Sequence, residues 1–244
     1  MIPSRYNSKR LPGKALIEIN GKPMIQHVVE RAQEALPNAE IWVATDDERI
    51  KKAIEHKANV QMTSPNHTTG TDRIAEVACS RKWDTKDLII NIQGDEPFIP
   101  PQLIQKLSHE MCLGGYSMGT MASTFLDTAE LDNPNRIKVT LKKNGEALYF
   151  SRSKIPFQRD SSPLEGASLS NYYKHIGIYA YTVETLKTIT QAPICTIEVM
   201  EKLEQLRALY LGIPIQVFIW SGHSPQGIDT LDDLEIIRKA IPLQ

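Results

Sequence analysis

Cysteine is scarce: Cys79, Cys112 and Cys195 are the only three in 244 residues, widely separated and with no C-x-x-C pair. That pattern excludes a disulfide framework and a zinc knuckle, and it points to a reducing, cytoplasmic setting. No apolar run approaches the ~20 residues of a transmembrane helix, and the first residues lack the basic-then-apolar order of a signal peptide, so neither membrane insertion nor export is expected. Net charge is -1, from 28 Lys and Arg against 29 Asp and Glu. Without a basic excess, bulk binding to nucleic acid or a membrane surface is not expected, and any anionic ligand must be met by a local cluster. Also missing are a Walker A loop, a G-x-G-x-x-G fingerprint, an H-E-x-x-H pair and any Ser/His/Asp order, which leaves nucleophilic proteolysis and zinc hydrolysis without support.

What is present is ordinary globular material, 41% hydrophobic and 23% charged. Its length suits one domain, or one domain with a substantial insertion. Apolar runs at 41–45, 88–92 and 215–220 alternate with amphipathic stretches at 23–36, 47–57 and 70–82. The alternation predicts α/β architecture built on βαβ units with a largely parallel sheet. From about 115 to 185 shorter strand-like pieces follow, at 117–124, 136–142, 146–150 and 175–182, with a polar loop at 158–171. They read as a mixed or antiparallel extension within a single 1–244 domain, the extension reaching residue 210. A helix is predicted over 193–211, and Leu231-Asp232-Asp233-Leu234 opens a last one.

In parallel sheets ligands bind beyond the carboxyl ends of the strands, which directs attention to the loops beginning at Arg5, Asp46 and Gln93. The first, Arg5 to Lys14, packs Arg5, Arg10, Lys14 and Gly13 into one turn-forming segment, as a polyphosphate cradle requires. The second, Gln93-Gly94-Asp95-Glu96-Pro97, places Asp95 where a hard divalent cation could be held, though acidic turns of this composition are common. The third, Gly227-Ile228-Asp229-Thr230, offers a second carboxylate, with helix capping as the plainer reading. Asp95 and Asp229 together form a pair of the kind that holds Mg²⁺ with substrate phosphates.

His67-Thr68-Thr69-Gly70-Thr71-Asp72-Arg73 opens a helix whose backbone N–H groups could reach a base or phosphate. Its alternative is an N-cap segment with Arg73 on a solvated face. Within 193–211 an apolar stripe of Val199, Met200, Leu203, Leu206 and Tyr210 leaves Glu198, Glu201, Glu204 and Gln205 on what reads as a solvated side. A first strand of usual length would place about five residues before Arg5. Only Met1, Ile2, Pro3 and Ser4 stand there, so the sheet is expected to start on a stub or the encoded start to lie upstream.

Taken in order, Ile2-Pro3-Ser4-Arg5-Tyr6, Arg10-Leu-Pro-Gly-Lys14, Thr69-Gly-Thr-Asp-Arg73, Asn91-Ile-Gln-Gly-Asp-Glu-Pro97, Tyr149-Phe-Ser-Arg152, His175-Ile-Gly-Ile-Tyr179, Leu203-Glu-Gln-Leu-Arg207 and Gly227-Ile-Asp-Thr230 give the chain its likeness. It resembles the 3-deoxy-manno-octulosonate (KDO) cytidylyltransferases, or CMP-KDO synthetases, almost end to end. The resemblance implies a Rossmann-like nucleotidyltransferase fold, three-layer α/β/α with a mixed, mostly parallel sheet and an inserted dimerisation region. It implies transfer of CMP from CTP to KDO, with release of diphosphate, for lipopolysaccharide biosynthesis, with Mg²⁺ as cofactor and a cytoplasmic homodimer meeting through 150–210. The alternatives are the same reaction on the 8-amino analogue or a related sugar acid, and a non-catalytic nucleotide-binding module, which the presence of both the cationic loop and the paired carboxylates disfavours.

By the same resemblance Ser4, Arg5, Arg10, Lys14, Thr69, Gly70 and Arg73 bind the nucleotide, and Arg10, Lys14 and Asp95 are catalytic. Asp95 and Asp229 are the metal ligands. Gln93, Arg159, His175, Tyr179, Glu204 and Gln205 surround the sugar, Arg159 facing its carboxylate. Asp72 stands where the family commonly has Glu, a change that conserves charge.

Overall fold

The structure is a computed structural model that describes residues 1–7, 11–159, 169–222, 227–228, 230 and 233–235. Its first strand, β1 (Ile2–Ser4), is fully buried and is followed by the loop that carries Lys14 and by a two-stranded hairpin, β2 (Glu18–Ile19) and β3 (Lys22–Pro23). The first helix, α1 (Met24–Ala35), buries Ile25, Val28, Val29 and Ala32, the three-and-four spacing that makes one apolar face. Next come β4 (Trp42–Thr45), α2 (Glu48–Ile54), β5 (Asn59–Met62), α3 (Gly70–Ser80), β6 (Leu88–Asn91) and α4 (Pro101–Gly114). Proline at the first turn and Gly115 in the left-handed region (φ 63°) bound α4 at its two ends.

The extension supplies β7 (Met118–Thr124), β8 (Lys138–Leu141), β9 (Ala147–Ser151) and the long β10 (Tyr173–Thr182). Helices α5 (Val183–Gln191), α6 (Thr196–Glu201) and α7 (Gln205–Tyr210) precede β11 (Gln216–Ile219). Strand β1 runs parallel to β4, and β4 to β5. At the other side Met1 N donates to Ile90 O and Ile92 N to Met1 O, the bond pattern of a parallel pair, which carries the sheet on to β6. Beyond it β10 lies antiparallel to β6, β7 and β8, while β7 and β11 are parallel. The sheet is mixed, as the change of pattern after residue 115 predicts.

Alternate residues of each strand enter opposite cores. Ile2, Val43 and Ile90 join one cluster with α1 and α4; Met1, Ala44 and Ile89 join a second with Ala75, Val77 and Leu186 of α3 and α5. Period-two burial on both faces makes three layers, with later residues such as Ile178 and Phe218 in the first cluster.

One predicted element is corrected. Residues 193–211 form two helices, because Lys202 takes a left-handed conformation (φ 53°, ψ 46°) and ends α6. Arg152 stabilises that break by donating from Nε to Glu201 O and from Nη2 to Lys202 O, carbonyls a continuing helix would have used. The turn rotates the register, so the predicted stripe does not hold together. Val199, Met200 and Tyr210 are exposed, whereas Glu198 and Gln205, assigned to the solvated side, are buried.

Candidate active site

The end of β1 and the loop after β6 converge with the start of α3 around a cavity of about 560 Å³, lined by Ser4, Arg5, Lys14, Thr69, Gly70, Arg73, Gln93 and Asp95 among others. Two glycines let the backbones close up here. A Cβ on Gly94 would stand 2.9 Å from Pro3 O, and one on Gly70 would stand 3.0 Å from Pro3 Cγ. Gly13, at φ 68°, turns the loop back so that its N–H donates to Tyr6 O and Lys14 enters the cavity. Lys14 Nζ lies 2.6 Å from Asp95 Oδ2, with the Asp95 side chain 30% exposed.

Thr69 caps α3, accepting from the Asp72 N–H. Its helix directs Arg73 inward: the residue is 2% exposed, and its guanidinium donates to Asp46 Oδ2 at 2.8 Å and to Thr63 Oγ1. The solvated alternative for Arg73 is thereby excluded. Arg10 and Asp229 lie outside the described residues. The neighbour of Asp229 is placed, however: Ile228 N donates to Asp95 O at 2.9 Å. Thr230 and Asp233 bond reciprocally as a helix cap, which accounts for the hydroxyl of that motif.

A second cavity, about 280 Å³, opens beyond Thr69, Gln93 and Glu204, which line both. Its floor is one face of the sheet. His175, Gly177, Tyr179 and Tyr181 recur at period two along β10, Asn91 pairs with Tyr179, and Met118 with Tyr181. Its wall is the turn from Lys202 to Gln205. Glu204 accepts from Thr71 Oγ1 at 2.8 Å, so the start of α3 is tied to that wall. Protein atoms crowd the Glu204 carboxyl and raise its pKa, with Asp72 and Glu198 adding to the effect, although more than a third of the residue faces open space.

Burial raises the pKa values of Tyr179 and Tyr181, so both phenols stay protonated. His175, packed against Phe150 and Tyr179 with Nε2 3.1 Å from Thr120 Oγ1, is lowered by burial to about 3. It is neutral at physiological pH and too weak a base to accept a proton in catalysis. Its ordinary value is 6.5, so between about 6.5 and 3 the unfolded chain binds a proton that the folded chain refuses, and stability falls as pH drops through that window. The unfolding midpoint of the wild type is expected to fall more steeply from pH 7 to 5 than that of His175→Gln. The Met1 amine, lowered to about 5 by burial, adds the same slope to both proteins. Parallel curves would contradict the assignment.

Of the predicted sugar residues, Gln93, His175, Tyr179, Glu204 and Gln205 share this cavity, and Arg159 lines neither cavity, standing exposed on the segment after β9. Several lining residues had no individual role in the sequence reading. Thr71, Asn91 and Tyr181 line the second cavity, and His67, held by Glu76, lines the first; His67 and Thr71 lie in the 67–73 segment expected near the ligand. The period-two pattern of 175–181 was the available signal for Tyr181. Among the described residues no group of three or more His, Cys, Asp or Glu side chains could by itself hold a metal. A hard carboxylate partly open to the first cavity, with an ammonium against it where a cation would sit, nevertheless fits Mg²⁺ shared with substrate oxygens.

Comparison with known proteins places this geometry. The Cytidylyltransferase family model matches residues 1–215. A "3-deoxy-manno-octulosonate cytidylyltransferase 2" of Paraburkholderia phytofirmans is 43% identical over 99% of this chain and 92% of its own length. An "8-amino-3,8-dideoxy-manno-octulosonate cytidylyltransferase" of Shewanella pealeana is 47% identical over 97% and 95%. The solved structure of a CMP:2-keto-3-deoxy-manno-octonic acid synthetase complexed with CTP superposes with a TM-score of 0.88 at 41% identity, covering 98% of this chain and 95% of that one. With a cation-lined cavity at the strand ends, a second cavity opening beside it, and such relatives along its whole length, the chain belongs to the cytidylyltransferase family, in its manno-octulosonate branch.

Proposed function

We propose that this protein transfers CMP from CTP to 3-deoxy-manno-octulosonate and releases diphosphate. The observation that carries this reading is the pair of cavities meeting at Gln93 and Glu204, beside Asp95. One is suited to a triphosphate, the other to a polyol acid. The full-length relatives named for this reaction support the same substrates.

In this mechanism the anomeric hydroxyl of the sugar acid attacks the α-phosphorus in line. An oxygen–phosphorus bond forms, the bond to the β-phosphate oxygen breaks, and the hydroxyl proton passes to solvent. Lys14 meets charge growing on the departing diphosphate, assisted by Arg10. Asp95, with Asp229, is the proposed holder of Mg²⁺, which when bound supplies charge neutralisation at the phosphoryl oxygens and greater acidity to the sugar hydroxyl. Ser4, Arg5, Thr69, Gly70 and Arg73 orient the nucleotide. Gln93, His175, Tyr179, Glu204 and Gln205 orient the sugar; Arg159, exposed outside both cavities, is proposed for its carboxylate on the family resemblance and not on its position here. Positioning and charge carry the rate, and no covalent enzyme intermediate is required.

The close relative named for the 8-amino sugar acid makes that compound the second reading. Both sugar acids, offered with CTP and with UTP, separate the cases. Diphosphate release is expected with CTP, faster with 3-deoxy-manno-octulosonate than with its 8-amino analogue; the reverse order would transfer the assignment to the analogue. A homodimer is also proposed. Exposed Leu148, Phe157, Ile194, Val199 and Met200 on and around the 150–210 region support an apolar contact there. A single-chain mass by sedimentation at micromolar concentration would refute it.

A further inference from the structure

Four buried polar atoms of residues that line the second cavity make no hydrogen bond of normal geometry: Tyr179 Oη, Tyr181 Oη, Asn91 Oδ1 and Gln205 Nε2. Tyr179 and Gln205 already have a role in the proposed function. Asn91 and Tyr181 are in the same condition on the same sheet face, and each is only 2% exposed. Asn91 and Thr71 stand close enough to Tyr181 Oη to lower its pKa slightly against the dominant effect of burial, yet neither completes a bond of normal geometry. A strand that is otherwise apolar, Leu88-Ile-Ile-Asn91, thus ends on an amide whose oxygen has no partner of normal geometry. The space above this face is open at Gly177, where a Cβ would meet nothing nearer than Glu96 Oε1 at 4.0 Å.

Buried polar groups in folded proteins are almost always paired, and unpaired ones concentrate where a ligand completes them. We propose that Asn91 and Tyr181 are sugar-binding residues, pairing with hydroxyls of the sugar acid's polyol at the inner end of the second cavity. Tyr181 donates its phenolic proton and Asn91 accepts through Oδ1, a complementary pair for a group that both donates and accepts. Glu204, bonded to Thr71 at the rim, closes the same corner from the side of the nucleotide. The inference rests on the proposed transferase function and extends its sugar site by two residues.

Tyr181→Phe removes one oxygen and leaves the ring packing in place. The expected result is a KM for the sugar acid raised about five- to tenfold, the loss of one hydrogen bond to substrate. KM for CTP should stay within about twofold, as for any group that contacts one substrate only. The unfolding midpoint without ligand should be unchanged or higher, because an unpaired buried hydroxyl has been deleted. A purely structural tyrosine would show the opposite: a lower midpoint and unaltered KM values. Asn91→Ser, a smaller polar replacement, should repeat the KM split, and the midpoint shift that the sugar acid induces in the presence of CTP should shrink in both variants. Unchanged sugar-acid KM in both variants would overturn the inference. Absence of sugar-dependent turnover in the wild type would instead overturn the transferase reading on which it stands.

Discussion

Asp95→Asn is expected to reduce turnover by about 10²–10³-fold, the scale seen when one preorganised electrostatic group is lost from an active site. The asparagine has the same shape and stays on the loop that follows β6, so the change is confined to charge. It removes the carboxylate that Lys14 contacts at 2.6 Å and that the mechanism gives to Mg²⁺. Because that side chain is 30% exposed, the lost ion pair should cost no more than about 1 kcal/mol of stability. KM for CTP should change little, since Lys14 remains to bind phosphate. Steady-state diphosphate release at saturating Mg²⁺ and a thermal melt read the two effects separately. A near-normal rate would exclude Asp95 from the metal site.

The second large effect is on the fold. Arg207→Ala is expected to destabilise the protein by about 3–5 kcal/mol, as for other buried charges deprived of a partner. Glu198 and Arg207 are 6% and 5% exposed and meet through two parallel bonds of 2.6 and 2.8 Å. A third bond joins Arg207 Nη1 to Ile189 O, so one side chain ties α5, α6 and α7 together. Its removal abandons a carboxylate in a closed interior and loosens the turn that carries Glu204 and Gln205. At this chain length the midpoint should fall by roughly 10 °C or more. Arg207→Lys, which keeps the charge and loses the fork, should fall between alanine and wild type. A shift of only a degree or two for alanine would show that the pair contributes little.

The two effects were not equally visible in the sequence. Asp95 was legible because an apolar run followed by Gln-Gly-Asp-Glu-Pro is a local pattern, and strand ends are where such sheets bind ligands. The cationic loop and the Thr69 cap were legible for the same reason. The Glu198–Arg207 pair was not, since a helical period was assumed to run unbroken through Lys202. The period ends at the left-handed Lys202, and the break is held by Arg152, some fifty residues earlier, whose bonds to Glu201 O and Lys202 O no periodicity can register. The inward turn of Arg73 toward Asp46 was likewise hidden, because an arginine in the first turn of a helix can face either way until the neighbouring strand is in place. The sheet and its helices were therefore readable from local pattern, whereas the second cavity depends on pairings between distant segments.

The most direct test of the whole account is ³¹P NMR of the protein incubated with CTP, Mg²⁺ and 3-deoxy-manno-octulosonate. Diphosphate and a phosphodiester resonance from CMP joined to the sugar should appear in equimolar amounts, with neither formed when the sugar acid is omitted. Diphosphate or phosphate appearing at the same rate without the sugar acid, or no consumption of CTP with it, would contradict the assignment.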